Sequence, residues 1–173
     1  MTETITTPAA KGLVLGLILI VVGIGIYFSG IDMNSSIKYL SFLIFLAGII
    51  YFINQYGKQV NFNSTFGNYF AHGFKISAIV TIIMIIYTVV FIVFFPEFKE
   101  KAMDEARKNM QVKNLPDEQI DKAIDISRKF FMTFVIGFTL LMYLFCGVIA
   151  SLIGAAITKK NPNTFQHQTD QAV

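Results

Sequence analysis

The stretch NLPDEQIDKAIDISRKFF, residues 114–131, decides how the rest of the chain is read. Pro116 stands where a helix tolerates proline, in the first turn, because the N–H it lacks would have no intrahelical partner there. Asp117 and Glu118 follow, where carboxylates favour the positive end of the helix dipole. Ile120, Ala123, Ile124, Ser127 and Phe131 then make a helical stripe. It runs with no Gly or Pro into FFMTFVIGFTLLMYLFCGVIASLIGAAI, residues 130–157. A charged helix that continues into an oily one predicts one helix over about 116–159, its first part in water and the remainder in a membrane.

The whole chain supports the membrane reading. Its 173 residues are 54% hydrophobic and only 14% charged, with a mean hydropathy of +0.60, whereas an ordinary soluble domain is roughly 25% charged. Three more apolar runs precede the one just described: GLVLGLILIVVGIGIYFSG (12–30), YLSFLIFLAGIIYFIN (39–54) and GFKISAIVTIIMIIYTVVFIVFF (73–95). About 20 apolar helical residues cross the roughly 30 Å hydrocarbon layer. Helices are therefore predicted over about 12–30, 39–54, 66–95 and 116–159. The first run is read as a retained anchor, because Glu3 replaces the basic start of a secretory signal and no small-residue cleavage site follows.

Between the first two runs, SGIDMNSS supplies turn residues, so these helices should form an antiparallel hairpin. The next connection contains Phe66, Phe70 and Phe74 at four-residue steps, with Tyr69 alongside. A helix starting near Ser64 or Thr65 would carry these rings at headgroup depth before entering the bilayer.

Residues 97–129 hold eight of the 14 Lys/Arg and eight of the 11 Asp/Glu. After Pro96, Phe98, Ala102, Ala106 and Met110 repeat every four residues, which gives this arm an apolar stripe to set against the one from Ile120 to Phe131. The i, i+4 pairs include two of opposite sign, Glu97 with Lys101 and Asp104 with Lys108, and two of like sign, Glu100 with Asp104 and Asp121 with Asp125. Intrahelical ion pairs alone will not hold the arms, so they must pack on each other. The fold class expected is an all-α membrane protein: four transmembrane helices, with a charged helical hairpin over 97–129 extending out of the membrane between helices three and four. The chain is one membrane domain over 1–173, ending in a polar tail at 160–173. Two readings stand, a solvated hairpin that only connects helices three and four, which sequence alone favours, and a docking surface, for which a connector's usual shortness speaks; on the second, Glu97, Lys101, Asp104, Lys108, Asp117, Asp121 and Lys122 are candidate partner contacts.

In lipid, helices gain nothing from hydrophobic association and approach through small residues. Gly12 and Gly16 form a G-x-x-x-G, continued by Gly23 and Gly30 at seven-residue steps, and Gly147, Ala150, Ser151, Gly154 and Ala155 line the last turns of the fourth helix. Gly12, Gly16, Gly23, Gly147, Ser151 and Gly154 are the candidate helix-packing residues, whether toward the same chain or toward a second copy.

Catalysis needs convergent groups. The two histidines, His72 and His167, belong to no metal-ligand spacing, and Ser151 sits in no nucleophile motif. No enzyme activity, cofactor or metal is expected. A net charge of +3 gives no nucleic-acid surface. Cys146, alone in an apolar run, reads as a small hydrophobe. The spans contain no Asp or Glu, and Lys75 lies near a helix end where its stem can snorkel. Ser77, Thr81, Tyr87, Thr88, Thr139 and Tyr143 are the deeper polar groups, and packing is their favoured role.

The runs FGNYFAHGFKISAIVTIIMIIYTVVFIVFFPEFKEKAMDEARKNM, LPDEQIDKAIDISRKFF and GVIASLIGAAITKKNP together resemble the bacterial Domain of Unknown Function 4199 family of small four-span membrane proteins. The resemblance covers Lys11 to Pro162. It rests on the F-G-x-x-F-x-x-G-F start of helix three, the Phe-Pro at its end, the charged hairpin and the I-A-S-L-I-x-A-A-I-x-K-K ending, in that order. It implies a bacterial inner membrane location and carries no catalytic residues. Lys11, Lys58, Lys75, Lys159 and Lys160 gather on the side of both termini, and Lys38 with the charged hairpin on the other, so a strict Lys/Arg count places the hairpin in the cytoplasm; the hairpin's balanced charge and the Lys159-Lys160 stop beside a span favour cytoplasmic termini instead. The expected partners are the lipid bilayer and either further copies of the chain or other membrane proteins. Two roles follow: an accessory, scaffold or assembly component of a membrane complex, or an oligomeric channel or carrier for a small solute.

Overall fold

A computed structural model describes residues 6–29 and 36–159. The described residues form six α-helices and no strand: α1 (Pro8–Phe28), α2 (Leu40–Gln59), α3 (Phe66–Phe94), α4 (Glu97–Val112), α5 (Asp117–Lys129) and α6 (Phe131–Ile157), with a 3-10 turn at Ser36–Tyr39 before α2. Four of them, α1, α2, α3 and α6, are long and apolar enough to cross a membrane. The protein is a multi-pass membrane protein. The turn expected at residues 30–35, Gly30, His167 and the tail at 160–173 lie outside the described residues.

Helix ends depart from the hydropathy pattern for local reasons. α1 begins a turn earlier than its oily run, because the Thr7 side chain caps it by accepting from the Ala10 N–H at 3.3 Å and Pro8 occupies the first turn. α2 continues past Asn54 to Gln59, then closes as Phe62 N–H donates to the Gly57 carbonyl at 2.7 Å, with Asn61 and Phe62 at positive φ. α3 starts at Phe66 behind Thr65, whose hydroxyl accepts from the Asn68 N–H. α4 is bounded by Pro96 and by Asn114, at φ 54°, a left-handed position that asparagine tolerates well.

The single helix predicted over 116–159 is instead two. α5 and α6 meet at Phe130, with φ −102° and ψ 15°, although Phe130 N–H still donates to Ile126 O and Phe134 N–H to Phe130 O. No glycine or proline marks the place. The break falls where the chain passes from Ile120 and Ile124, buried on α5, to Phe131, buried with Ile92 and Met103. Two packing registers meet there, and tertiary contact overrides local propensity.

The chain divides into two compact units, one of Met1–Ile83 with Met142–Val173 and one of Met84–Leu141. In the first, α1, α2, the start of α3 and the end of α6 share a core. Buried positions recur at helical spacing: Leu15 and Leu19 on α1, Phe45, Ile49 and Ile53 on α2, Ile76 and Val80 on α3, Ala150 and Ala155 on α6. The opposite faces, including Leu13, Leu17, Val21, Leu43 and Ile82, are exposed, as suits helices solvated by lipid.

In the second unit the end of α3, α4 and the start of α6 pack around Ile92, Met103 and Phe131, with Phe98, Ala102, Met132 and Val135 against them; α5 buries Ile120 and Ile124. α4 and α5 run antiparallel, tied by Arg128 to Glu100 and Arg107 to Asp121, each at 2.8 Å.

Candidate functional site

The extra helical turns bring together a polar cluster that hydropathy does not announce. Starting α1 at Pro8 places Lys11 in the helix, on the same face as Leu15 and Leu19, and its side chain is buried. Extending α2 to Gln59 carries Tyr56 and Gln59 alongside, and α3 contributes Tyr69 and His72. The Lys11 ammonium has three donors and no acceptor. It reaches the Phe52 carbonyl at 3.5 Å, Gln59 Oε1 at 3.4 Å and His72 Nε2 at 3.3 Å. For Nε2 to accept, the imidazole must be neutral and carry its proton on Nδ1.

The Tyr56 ring closes the cluster. His72 stacks on it at 4.0 Å between centroids and 7° between planes, the Lys11 Nζ lies 5.7 Å from its centroid, and Tyr69 meets it edge-on at 5.9 Å. The ring face and the three acceptors together make a cage for one cation. Gln59 also donates to the Thr6 hydroxyl at 3.0 Å, tying the residues before α1 to α2. Tyr69 is fully buried, and its hydroxyl has no hydrogen-bond partner among the described residues. Among the described residues no carboxylate enters the contacts of Lys11, and the groups around its ammonium are dipoles and an aromatic face. Chemically it is a clamp: one side chain of α1 binds α2 and α3. Among the described residues no group of three or more His, Cys, Asp or Glu is placed to hold a metal ion.

Gly12, Gly16, Gly147, Ser151 and Gly154 lie at close approaches within the first unit. A Cβ at Gly12 would stand 2.9 Å from Ile79, and one at Gly16 2.9 Å from Ile83, so α1 meets α3 along this edge. Gly147 faces Ser77 so closely that a methyl group there would collide with it, and Gly154 faces Ile53 and Ile50 of α2. Ser151 is fully buried beside Gly73 of α3. Gly23 is half-buried on α1. Three further close approaches carry no packing pattern in the sequence: Gly48 against Leu15, Gly57 against Thr158 and Phe62, and Gly73 against Ile53. The hydroxyls of Thr81 and Thr88 donate to the carbonyls of Ser77 and Met84 one turn earlier, and Ser77 donates to the Tyr143 carbonyl.

On α4 and α5 the candidate contacts separate. Asp121 is engaged by Arg107 across the pair, and Lys122 by Glu118 on its own helix at 2.7 Å. Glu97, Lys101, Asp104, Lys108 and Asp117 are exposed. Lys101, Asp104, Lys108 and Asp117 have no ion-pair partner among the described residues.

The family described as "Protein of unknown function (DUF4199)" matches residues 11–160, most of the chain. The chain belongs to the DUF4199 family. No curated protein and no solved structure matches it. The stretch of this DUF4199 chain that matches the family runs from Lys11, the centre of the buried cluster, to the end of α6 and its basic stop.

Sequence reasoning placed Lys11 among the flanking basic residues and His72 at a helix start, and did not join them. The signal was available in part. Thr7-Pro8 is a cap followed by a first-turn proline, and it moves the helix start far enough back to include Lys11. That Lys11 faces inward, toward His72 and Tyr56, follows only from how α1 of this DUF4199 protein packs.

Proposed function

We propose that this membrane protein is a non-catalytic interaction component of a membrane complex, an accessory, scaffold or assembly factor whose contact surface is the helical hairpin of α4 and α5 standing outside the bilayer. The carrying observation is the division of charge on that hairpin. The Glu100–Arg128 and Arg107–Asp121 pairs close the two arms on each other, while Lys101, Asp104, Lys108 and Asp117 are exposed and unpaired among the described residues. Exposed ion pairs contribute at most about 1 kcal/mol each, so the apolar contacts between the arms stabilise the hairpin and its outer charges are free for recognition. Complementary charge then sets partner choice and association rate.

Other observations favour this reading over a solute path. The hydroxyls of Ser77, Thr81 and Thr88 are all engaged by backbone carbonyls. The Lys11 ammonium is likewise engaged by three acceptors. We place the protein in a bacterial inner membrane with both termini in the cytoplasm, on the strength of the lysines flanking those helix ends; a reporter fused after Val173 should be active in the cytoplasm.

The test is crosslinking in native membranes with the full chain. Inverting Lys101, Asp104, Lys108 and Asp117 together should abolish a crosslinked protein partner and leave membrane insertion and thermal stability in detergent unchanged. An undiminished crosslink in the inverted protein would overturn the proposal.

A further inference from the structure

The second unit contains a groove of about 380 Å³ where α5 passes into α6, lined by Met103, Ser127, Phe131, Phe134, Val135 and Phe138. Its size falls within the range of small-molecule sites, but its wall is almost wholly apolar, with Ser127 and Thr139 as its polar residues. Phe134 and Phe138 are more than half exposed. They lie on the first turns of a helix apolar enough to cross the membrane. A soluble ligand would have to leave water for a site that offers few hydrogen bonds; a lipid chain is already there.

The charge around the groove narrows the occupant. Lys99 Nζ lies 5.7 Å from the centre of the Phe131 ring, and Lys129 Nζ lies 5.6 Å from that of Phe130. Phe130 in turn meets Phe134 edge-on at 6.3 Å. Each ammonium group rests against its ring, Phe131 lining the groove and Phe130 touching the lining residue Phe134, and neither has a carboxylate within ion-pair distance among the described residues. The neighbouring Arg128 is different, because Glu100 neutralises it. Two cations without a carboxylate partner among the described residues, one against a ring that lines the groove and one against the ring next to it in sequence, match a phosphate at the end of an acyl chain. Basic sites at this depth select anionic headgroups.

We propose that the groove binds an anionic glycerophospholipid, one acyl chain lying along Phe131, Phe134, Val135 and Phe138 and the phosphate meeting Lys99 and Lys129. The site is separate from the outward charges assigned to partner contact, so either assignment can fail alone.

The chain has no tryptophan, which permits a local test. Phe138→Trp puts the sole indole in the groove on an exposed position, and Val21→Trp puts one on the exposed face of α1 as a control. Each full-length variant is reconstituted in vesicles of phosphatidylcholine containing brominated phosphatidylglycerol or brominated phosphatidylcholine, and quenching gives the relative affinity of the two lipids beside that indole. Phosphatidylglycerol should quench preferentially at position 138 and show no preference at position 21. Adding Lys99→Gln and Lys129→Gln should lower the preference by roughly fivefold per lysine, whereas Lys99→Arg with Lys129→Arg should retain it. Equal quenching by the two lipids at position 138, or a preference that survives the double glutamine change, would overturn the proposal.

Discussion

The Lys11 ammonium lies 3.3 Å from Nε2 of His72, with both side chains buried and, among the described residues, no carboxylate in contact with either. A cation placed so is stabilised by the Phe52 carbonyl, Gln59 and the Tyr56 ring together, and these groups come from α2 while His72 comes from α3. Removing the ammonium leaves its acceptors facing one another. Lys11→Met should therefore destabilise the protein by about 1–3 kcal/mol, read as a lowered unfolding temperature in detergent. In a cycle with His72→Phe, which keeps an aromatic ring for stacking on Tyr56, the two changes should be less than additive because they break one network.

The glycines make a sharper contrast. A Cβ at Gly147 would run into Ser77, whereas one at Gly25 or Gly137 meets nothing within 4 Å. Gly147→Ala should lose about 1–3 kcal/mol through overpacking, and Ser77→Gly in the same chain should recover part of it. Gly25→Ala and Gly137→Ala should be neutral or stabilising by about 0.5–1 kcal/mol, since alanine is the better helix former. Thermal unfolding of the four variants in one detergent separates these outcomes.

Within the α4/α5 pair, packing should outweigh charge. Ile120 is 1% exposed, while the side chains of Arg107 and Asp121 are 44% and 60% exposed. Ile120→Ala should cost about 2–5 kcal/mol. Breaking the ion pair with Arg107→Gln should cost at most about 1 kcal/mol, less at high salt. Hydrogen exchange of the α4 and α5 amides would show the difference as a large and a small loss of protection.

At Asn114 the backbone sits at φ 54°. A β-branched side chain is strained there, so Asn114→Val should destabilise by about 1–2 kcal/mol, and Asn114→Gly should be neutral or slightly stabilising. The same hydrogen-exchange measurement on α4 and α5 checks it.

Much of the architecture is legible in the sequence because membrane spans are dictated by length and apolarity over some 20 residues. Pro96, Pro116 and the Phe66 helix start mark boundaries through purely local chemistry, and they fall within a residue of the observed ends. The missed break at Phe130 has no such marker, since Lys-Phe-Phe is acceptable helix sequence. Gly12 and Gly16 could be singled out as small residues at four-residue spacing, but the sequence could not say that Ile79 and Ile83 face them. Gly48 and Gly57, isolated in α2, carried no pattern and yet sit at equally close approaches.

The sequence by itself thus determined four apolar helices and a charged interruption between the third and fourth, because periodicity and composition act along the chain. Only the tertiary structure decided that Lys11, Tyr56, Gln59 and His72 meet, that Lys99 and Lys129 stand over the phenylalanine rings of Phe131 and Phe130, and that the helix expected over 116–159 divides at Phe130 into α5 and α6. Each of these depends on the rotation of one helix against another, which distant side chains set jointly and no local stretch of sequence encodes.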